Sequence, residues 1–234
     1  MLLKINSLNK KFNSNIIFQD FNLELKEKEL IVITGNNGCG KSTLFNLIVG
    51  DITPDSGSIV FDKIDLGNLK TYQIAKLGIA RTFQNGGLFQ DLTVEQNIVL
   101  VVESQNKNNQ KSSWWRGILP INYQKYNLQI QKILQEINLD GNQKQLVKNL
   151  STGQSRLLEL KKLELQKAKL YLIDEPSAGV NPKMYPAIIN LIKKLNQNSA
   201  VIVIEHNENI IKGLEFAGPV KANLKVNLNF FGKY

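Results

Sequence analysis

Cysteine and histidine are nearly absent from this chain, whose 234 residues contain one of each. A single cysteine excludes an internal disulfide and is compatible with a reducing compartment. Long hydrophobic runs are also missing: although 42% of the residues are hydrophobic, no stretch approaches the roughly 20 apolar residues that span a bilayer. The length suffices for one domain with a substantial core, or for one domain with a subdomain.

Acidic residues are fewer than basic ones, 20 against 29, which gives a formal charge of +9. Such an excess would suit nucleic acid or an anionic membrane surface. The lysines and arginines are dispersed and form no long block, so we interpret most of them as solvated faces. Some attraction to the cytoplasmic leaflet of a membrane remains open.

One short glycine-rich run carries the strongest functional signal. It fits the Walker A pattern G-x-x-x-x-G-K-[ST] and consists of Gly35, Asn36, Asn37, Gly38, Cys39, Gly40, Lys41 and Ser42. Residues 30–33 before it predict a buried strand, and residues 43–49 after it predict a helix. Strand, loop and helix together predict a site for the phosphates of ATP. Lys41 would reach the β- and γ-phosphates, and the Ser42 hydroxyl would bind Mg²⁺.

Two further apolar runs end in titratable residues where a strand would stop. Residues 170–173 precede Asp174 and Glu175, and residues 201–204 precede a second titratable pair. Continuous apolar runs are typical of central strands in a parallel sheet, and ligands bind beyond the carboxyl ends of such strands. We therefore expect Asp174 to hold Mg²⁺ through its water shell and Glu175 to orient and deprotonate the attacking water. The alternative is that both carboxylates simply begin solvated loops.

Two single residues extend this predicted site. His206 is the only histidine; such a residue is more often a satisfied polar group, but its place just after a strand predicts contact with the γ-phosphate. Residues 3–26 alternate as half-buried strands do, and Phe12 lies in a predicted loop between them. We predict that Phe12 stacks on the adenine ring, the alternative being an ordinary exposed aromatic.

The middle of the chain, from about residue 85 to residue 165, has a helical pattern. Residues 93–96 form a capping box, and one apolar stripe at helical spacing comprises Tyr126, Ile130, Ile133, Leu134 and Ile137. Ser151 and Gln154 form a second capping box, which is either an ordinary helix cap or a second anion-binding helix end. Gly153 between them would leave the backbone open to close approach.

The outer parts of the chain and of this insert are less regular. Residues 104–113 predict a surface loop, and Trp114 and Trp115 either contact a partner or pack locally. Residues 220–230 alternate strictly and predict one long strand.

Taken together, residues 2–207 resemble the ATP-binding subunit of an ABC transporter. The motifs of that family map in order onto Walker A at 35–42, the Q-loop glutamine Gln84, the signature motif at 150–154, Walker B at 170–175, the D-loop at 177–182 and the switch histidine His206. Residues 78–85 and 177–182 resemble the first ATP-binding protein of branched-chain amino-acid importers, although urea and lipopolysaccharide systems share part of this pattern. Residues 157–162 and the strand-like C-terminal stretch depart from the family.

The resemblance implies an α/β fold: a P-loop NTPase (RecA-like) parallel-sheet core, an N-terminal antiparallel β layer and a helical insert subdomain, together the ABC ATPase fold. It would form a single domain over 1–234, with the signature-bearing subdomain at about 85–165. Gln84 would bind Mg²⁺, couple its occupancy to this insert and take part in catalysis. ATP would lie between two chains, held by residues 35–43 of one, Thr43 included, and by Ser151, Gly153 and Gln154 of the other.

The implied partners are transmembrane permease subunits and a second ATP-binding subunit, with a periplasmic or extracellular solute-binding protein acting indirectly. A heterodimer is the expectation and a homodimer the alternative; no nucleic acid is expected. The subunit would lie peripherally on the cytoplasmic face of the cell membrane. The rival interpretations are a soluble ABC ATPase acting on nucleic acid or the ribosome, and a non-hydrolysing regulatory subunit.

Overall fold

The computed structural model of this protein describes residues 1–82, 87–105 and 123–215. Gln84, the two adjacent tryptophans and the predicted C-terminal strand lie outside these ranges. Within them, no helix combines the length and the apolar character needed to cross a bilayer. The chain divides into two compact units, the first comprising residues 1–81, 168–178 and the C-terminal part from 192, the second residues 82–167 and 179–191.

The first unit contains every strand of the described chain, arranged in two four-stranded sheets. The antiparallel sheet has the order β2-β1-β4-β5, with β1 (Leu3–Phe12), β2 (Asn15–Leu25), β4 (Ser56–Phe61) and β5 (Ile64–Asp65). In β2, Phe21, Leu23 and Leu25 are at least partly buried while Asn22 and Glu24 are exposed, because alternate side chains point to opposite faces. The predicted antiparallel layer is confirmed.

The other sheet is parallel and has the order β3-β8-β7-β6, with β3 (Leu30–Ile33), β6 (Ile79–Arg81), β7 (Leu170–Asp174) and β8 (Ala200–Ile204). Every residue of β3, β7 and β8 is buried, as expected of apolar strands covered on both faces. Ile33 lies opposite Ile204, which lies opposite Asp174. This register brings the carboxyl ends of the three predicted strands to one edge.

Helix α1 (Lys41–Ile48) follows the glycine-rich loop, and α2 (Thr71–Lys76) precedes β6. One apolar core joins α1 to both sheets; its fully buried large side chains include Phe45 from α1 and Phe61 from β4. Close packing of this kind fixes the loop between β3 and α1 relative to the strands. Helix α7 (Glu208–Glu215) closes the described part of this unit.

The second unit is helical and contains α3 (Val94–Ser104), α4 (Asn127–Glu136) and α5 (Thr152–Gln166). The predicted stripe of Tyr126, Ile130, Ile133, Leu134 and Ile137 is buried, which confirms its helical spacing. Thr93 caps α3, and its side chain and that of Gln96 form the predicted reciprocal bonds. Helix α6 (Tyr185–Asn196) runs from this unit into the first.

Candidate nucleotide site

The glycine-rich loop occupies the place that its sequence predicts, between buried β3 and the start of α1. Gly40, the residue before α1, has φ +98°, and a Cβ there would lie 2.6 Å from Ile17 Cγ2. Only glycine satisfies both conditions. Asn36, Asn37 and Gly38 are exposed, so the tip of the loop is open to a ligand while its base is packed.

Lys41 is the cation of this loop. Its side chain is buried, and Nζ donates hydrogen bonds to Gly35 O at 2.9 Å and Asn36 O at 2.8 Å. Cys39 is also buried, with Sγ 3.8 Å from the same ammonium. The loop backbone thus holds the Lys41 charge in place at the start of a helix, where anions are favoured.

Asp174 and Ser42 lie together, although they come from distant parts of the chain. Burial raises the pKa of the Asp174 carboxyl, and the Arg81 charge and the nearby Ser42 hydroxyl act in the opposite direction. A carboxylate and a hydroxyl are hard oxygen ligands of the kind that Mg²⁺ prefers, and it commonly takes one or two protein ligands beside phosphates and water. No group of three or more acidic, histidine or cysteine side chains that could hold a metal occurs among the described residues. The residues therefore fit a Mg²⁺ ion held jointly by protein and nucleotide.

Glu175 and His206 follow adjacent strands and approach each other. Glu175 Oε1 lies 3.6 Å from His206 Nε2, and both side chains are partly exposed. The backbone of Glu175 has φ +44°, a region that residues other than glycine rarely adopt and that is frequent at functional sites. Its N–H donates to Ile204 O at 2.9 Å. The structure thus brings these two predicted catalytic residues together beside Asp174.

Phe12 differs from its predicted setting. It is the last residue of β1, with Asn15 of β2 as its partner, rather than part of a loop, because the turn between the strands is only two residues long. The residue is 46% exposed, and Lys10 Nζ lies 5.2 Å from the ring centroid. Stacking on adenine therefore stays a prediction that this exposure permits.

The capping box of α5 is confirmed. Ser151 Oγ accepts a bond from Gln154 N at 3.3 Å, and Ser151 N donates to Gln154 Oε1 at 3.0 Å. Ser151 and Thr152 are exposed, whereas Gly153 is buried. A Cβ on Gly153 would lie 2.2 Å from Met184 Sδ and 3.3 Å from Val180 Cγ1. The close approach that this glycine permits is therefore, in the first place, one made by its own chain.

The family model described as ABC transporter matches residues 18–178. The chain belongs to that family. The high-affinity branched-chain amino acid transport ATP-binding protein LivG of Salmonella typhimurium (strain LT2) is 30% identical over 91% of this chain and 85% of LivG. The ribose import ATP-binding protein RbsA of Caldanaerobacter subterraneus is also 30% identical, over 90% of this chain and 40% of RbsA. A crystal structure of the ADP conformation of an ATP-binding cassette of an ABC transporter is 26% identical, covers 91% of this chain and 84% of its own, and has a TM-score of 0.73.

These similarities confirm the predicted fold and the resemblance on which it rested. The protein is an ABC transporter ATPase subunit that binds and hydrolyses ATP. Parallel core sheet, antiparallel layer and helical unit all occur as the ABC ATPase fold requires.

Arg81 is the residue of this ABC cassette that the sequence analysis missed. It ends β6, and its Nη2 lies 3.6 Å from Asp174 Oδ2. Nη1 donates to Asn46 Oδ1, and the guanidinium lies 5.4 Å from the centroid of Phe45. Ligands bind beyond the carboxyl ends of parallel strands, which is why Asp174 was predicted. The position of Arg81 at the end of β6 could have indicated its role in the same way.

Proposed function

We propose that this chain powers the import of branched-chain or related amino acids. The observation that carries the proposal is the likeness to LivG across 91% of the chain. The ribose import protein has the same percentage identity, so identity alone favours neither solute. The preference rests on coverage, since RbsA is matched over 40% of its length and LivG over 85%.

In the proposed site, each residue has a role that suits its position. Lys41 binds the β- and γ-phosphates, helped by the backbone N–H groups of the loop. Ser42 and Asp174, which lie together, would hold Mg²⁺, and a bound Mg²⁺ supplies positive charge that neutralises the phosphate oxygens. Phe12 would stack on the adenine.

We assign the chemistry of hydrolysis to Glu175 and His206, whose side chains lie 3.6 Å apart. Glu175 orients a water molecule and accepts its proton as it attacks the γ-phosphorus. His206 contacts the γ-phosphate and so distinguishes ATP from ADP. Gln84 reports occupancy of the site to the helical unit. Positioning of this kind accounts for most of the catalysis in phosphoryl transfer.

Transport requires a second nucleotide-binding chain and membrane subunits. The N-terminal end of α5, with Ser151, Gly153 and Gln154, would face the nucleotide held by a second ATP-binding subunit, in a heterodimer by expectation and in a homodimer as the alternative. ATP would favour the closed dimer because it binds both chains only in that state. Permease subunits would follow this closure at the cytoplasmic face of the membrane, with a solute-binding protein delivering the amino acid outside.

Uptake in cells tests this proposal. Cells lacking the chain should take up labelled leucine at a reduced rate, and the parent chain should restore uptake while Lys41→Ala should not. Labelled ribose, measured in the same cells, serves as the matched comparison. Normal leucine uptake in the deletion strain would contradict the amino-acid assignment, and loss of ribose uptake alone would move the assignment to sugars.

A further inference from the structure

Glu205 is a buried carboxylate that the roles above do not use. It directly follows β8, and only 2% of its surface is exposed. Oε1 accepts hydrogen bonds from Ser177 Oγ at 2.9 Å, His206 N at 2.7 Å and Asn207 N at 2.8 Å, while Oε2 accepts one from Ser177 N at 3.2 Å. Both carboxylate oxygens therefore face donors.

These bonds join a turn and a short loop that both carry predicted catalytic groups. The turn follows β7 and contains Glu175 and Ser177; the loop follows β8 and contains His206. The backbone ladder between the strands ends where Glu175 N donates to Ile204 O. Beyond that point, the Glu205 side chain accepts hydrogen bonds from both segments.

The turn that contains Glu175 needs such support. Glu175 has φ +44°, a strained conformation that persists only where the surrounding structure fixes it. Ser177, two residues later, is held through both its N–H and its hydroxyl by the same carboxylate. The N–H of His206 is held by that carboxylate as well.

We propose that Glu205 is a positioning residue for ATP hydrolysis, which fixes the turn of Glu175 relative to the segment of His206. This inference rests on the proposed roles of those two residues. Glu205 itself is buried and is assigned no contact with substrate. A loss of the link would displace the water-orienting group, and a displacement of about 1 Å costs on the order of 100-fold in rate.

The chemistry of the carboxylate defines the test. A carboxylate accepts at both oxygens, whereas the amide of Gln carries an NH₂ group that only donates. In Glu205→Gln, either orientation of the amide places that NH₂ group against at least one of the four donors. Ser177→Ala removes the hydroxyl donor alone, and Ser177→Thr retains it. Glu208→Gln is the matched control, because Glu208 is an exposed carboxylate three residues along that pairs with Lys212.

Steady-state hydrolysis and equilibrium binding of a fluorescent ATP analogue should be measured for each variant. We expect Glu205→Gln to lower kcat about 10- to 100-fold while KM and the Kd for the analogue stay within threefold. Ser177→Ala should lower kcat less, Ser177→Thr should restore it, and Glu208→Gln should match the parent. The effects of Glu205→Gln and Ser177→Ala should not add fully, because both weaken the same link between Glu205 and Ser177.

Two results would overturn the inference: an unchanged kcat in Glu205→Gln, or kcat lost only in step with analogue binding. If Glu205→Gln does not fold, the two Ser177 variants provide the test. Equal kcat for Ser177→Ala and the parent then refutes the link. Glu175→Gln, measured in parallel, separates a failure of the proposed role of Glu175 from a failure of the Glu205 link. Unchanged turnover there would remove the proposed role of Glu175, whereas slow turnover beside normal Glu205→Gln activity would remove only the link.

Discussion

The guanidinium of Arg81 lies 3.6 Å from the carboxylate of Asp174, and both side chains are almost completely shielded from solvent. Burial lowers the pKa of Arg81 and raises that of Asp174, while the charge of each partner opposes the shift of the other. The Arg81 charge thus helps to keep the buried Asp174 carboxylate ionised. Asp174 is also the predicted metal-binding carboxylate, so this pair links the stability of the core to the site.

Replacing Arg81 with Met should destabilise the protein strongly. The change keeps much of the side-chain volume but leaves a carboxylate buried without its cation, which typically costs about 3–5 kcal/mol. Urea denaturation of both proteins measures the free energy of unfolding. Lys212→Met, at an exposed position where the lysine pairs with Glu208, should change it by less than about 0.5 kcal/mol. A similar small effect of Arg81→Met would show that the pair does not stabilise the fold.

A second buried charge predicts a pH effect on stability. Lys162 of α5 donates to Gly87 O at 2.6 Å and to Asn97 Oδ1 at 3.3 Å, and burial lowers its pKa from 10.5 to about 8, opposed by the charge of Glu159. Between these two values the folded state binds fewer protons than the unfolded state. Stability from this group therefore rises as pH increases from about 8 to 10.5, and below pH 8 the cost of burying the charge is present in full.

The measurement compares the parent with Lys162→Met across that window. The free energy of unfolding should be measured for both proteins at pH 7.5, 9 and 10.5. Across this range the value for the parent should rise relative to that for the variant by on the order of 1–3 kcal/mol. Taking the difference removes the contributions of other groups that titrate in this range. Lys212→Met provides the exposed control, whose difference from the parent should stay constant. A constant difference for Lys162→Met would contradict the lowered pKa.

The packing of Gly153 against Met184 predicts the outcome of a double-mutant cycle. Gly153→Ala places a methyl group 2.2 Å from Met184 Sδ, so the methionine must move, at a cost of about 1–3 kcal/mol. In a Met184→Ala background this cost should fall well below that value. Equal costs in both backgrounds, measured by thermal or urea unfolding, would show that Met184 is not the obstacle.

The contact between Gly153 and Met184 also affects the interpretation of a second variant, Gly153→Asp. We expect its carboxylate to repel the phosphate of a nucleotide held by the partner subunit. The same side chain would collide with Met184. Loss of hydrolysis in Gly153→Asp alone therefore does not separate the two causes, whereas comparison with Gly153→Ala does.

Much of the fold could be predicted because its signals are local. The buried strands β3, β7 and β8 are continuous apolar runs, and the caps of α3 and α5 depend on residues three positions apart. The phosphate loop is likewise specified within eight residues. Predicting these local features requires no knowledge of the tertiary structure.

Contacts between distant segments could not be predicted in the same way. Arg81 meets Asp174 and Glu205 meets Ser177 only because the strands of the parallel sheet are ordered β3-β8-β7-β6. Met184 covers Gly153 because the segment that follows β7 returns to the first turn of α5. Neither periodicity nor motif spacing reveals such an ordering, and side-chain chemistry alone does not choose among three arginines or between two methionines.

The turnover of Glu175→Gln tests the proposed catalytic site most directly. Steady-state Mg-ATP hydrolysis should be measured for the parent, for this variant and for Lys41→Ala, with binding of a fluorescent ATP analogue measured on the same samples. We predict that Glu175→Gln binds the analogue like the parent but hydrolyses ATP about 10²–10⁴-fold more slowly, because a positioned general base is lost. Lys41→Ala should lose tight binding. Turnover of Glu175→Gln within a few-fold of the parent would contradict the proposed mechanism.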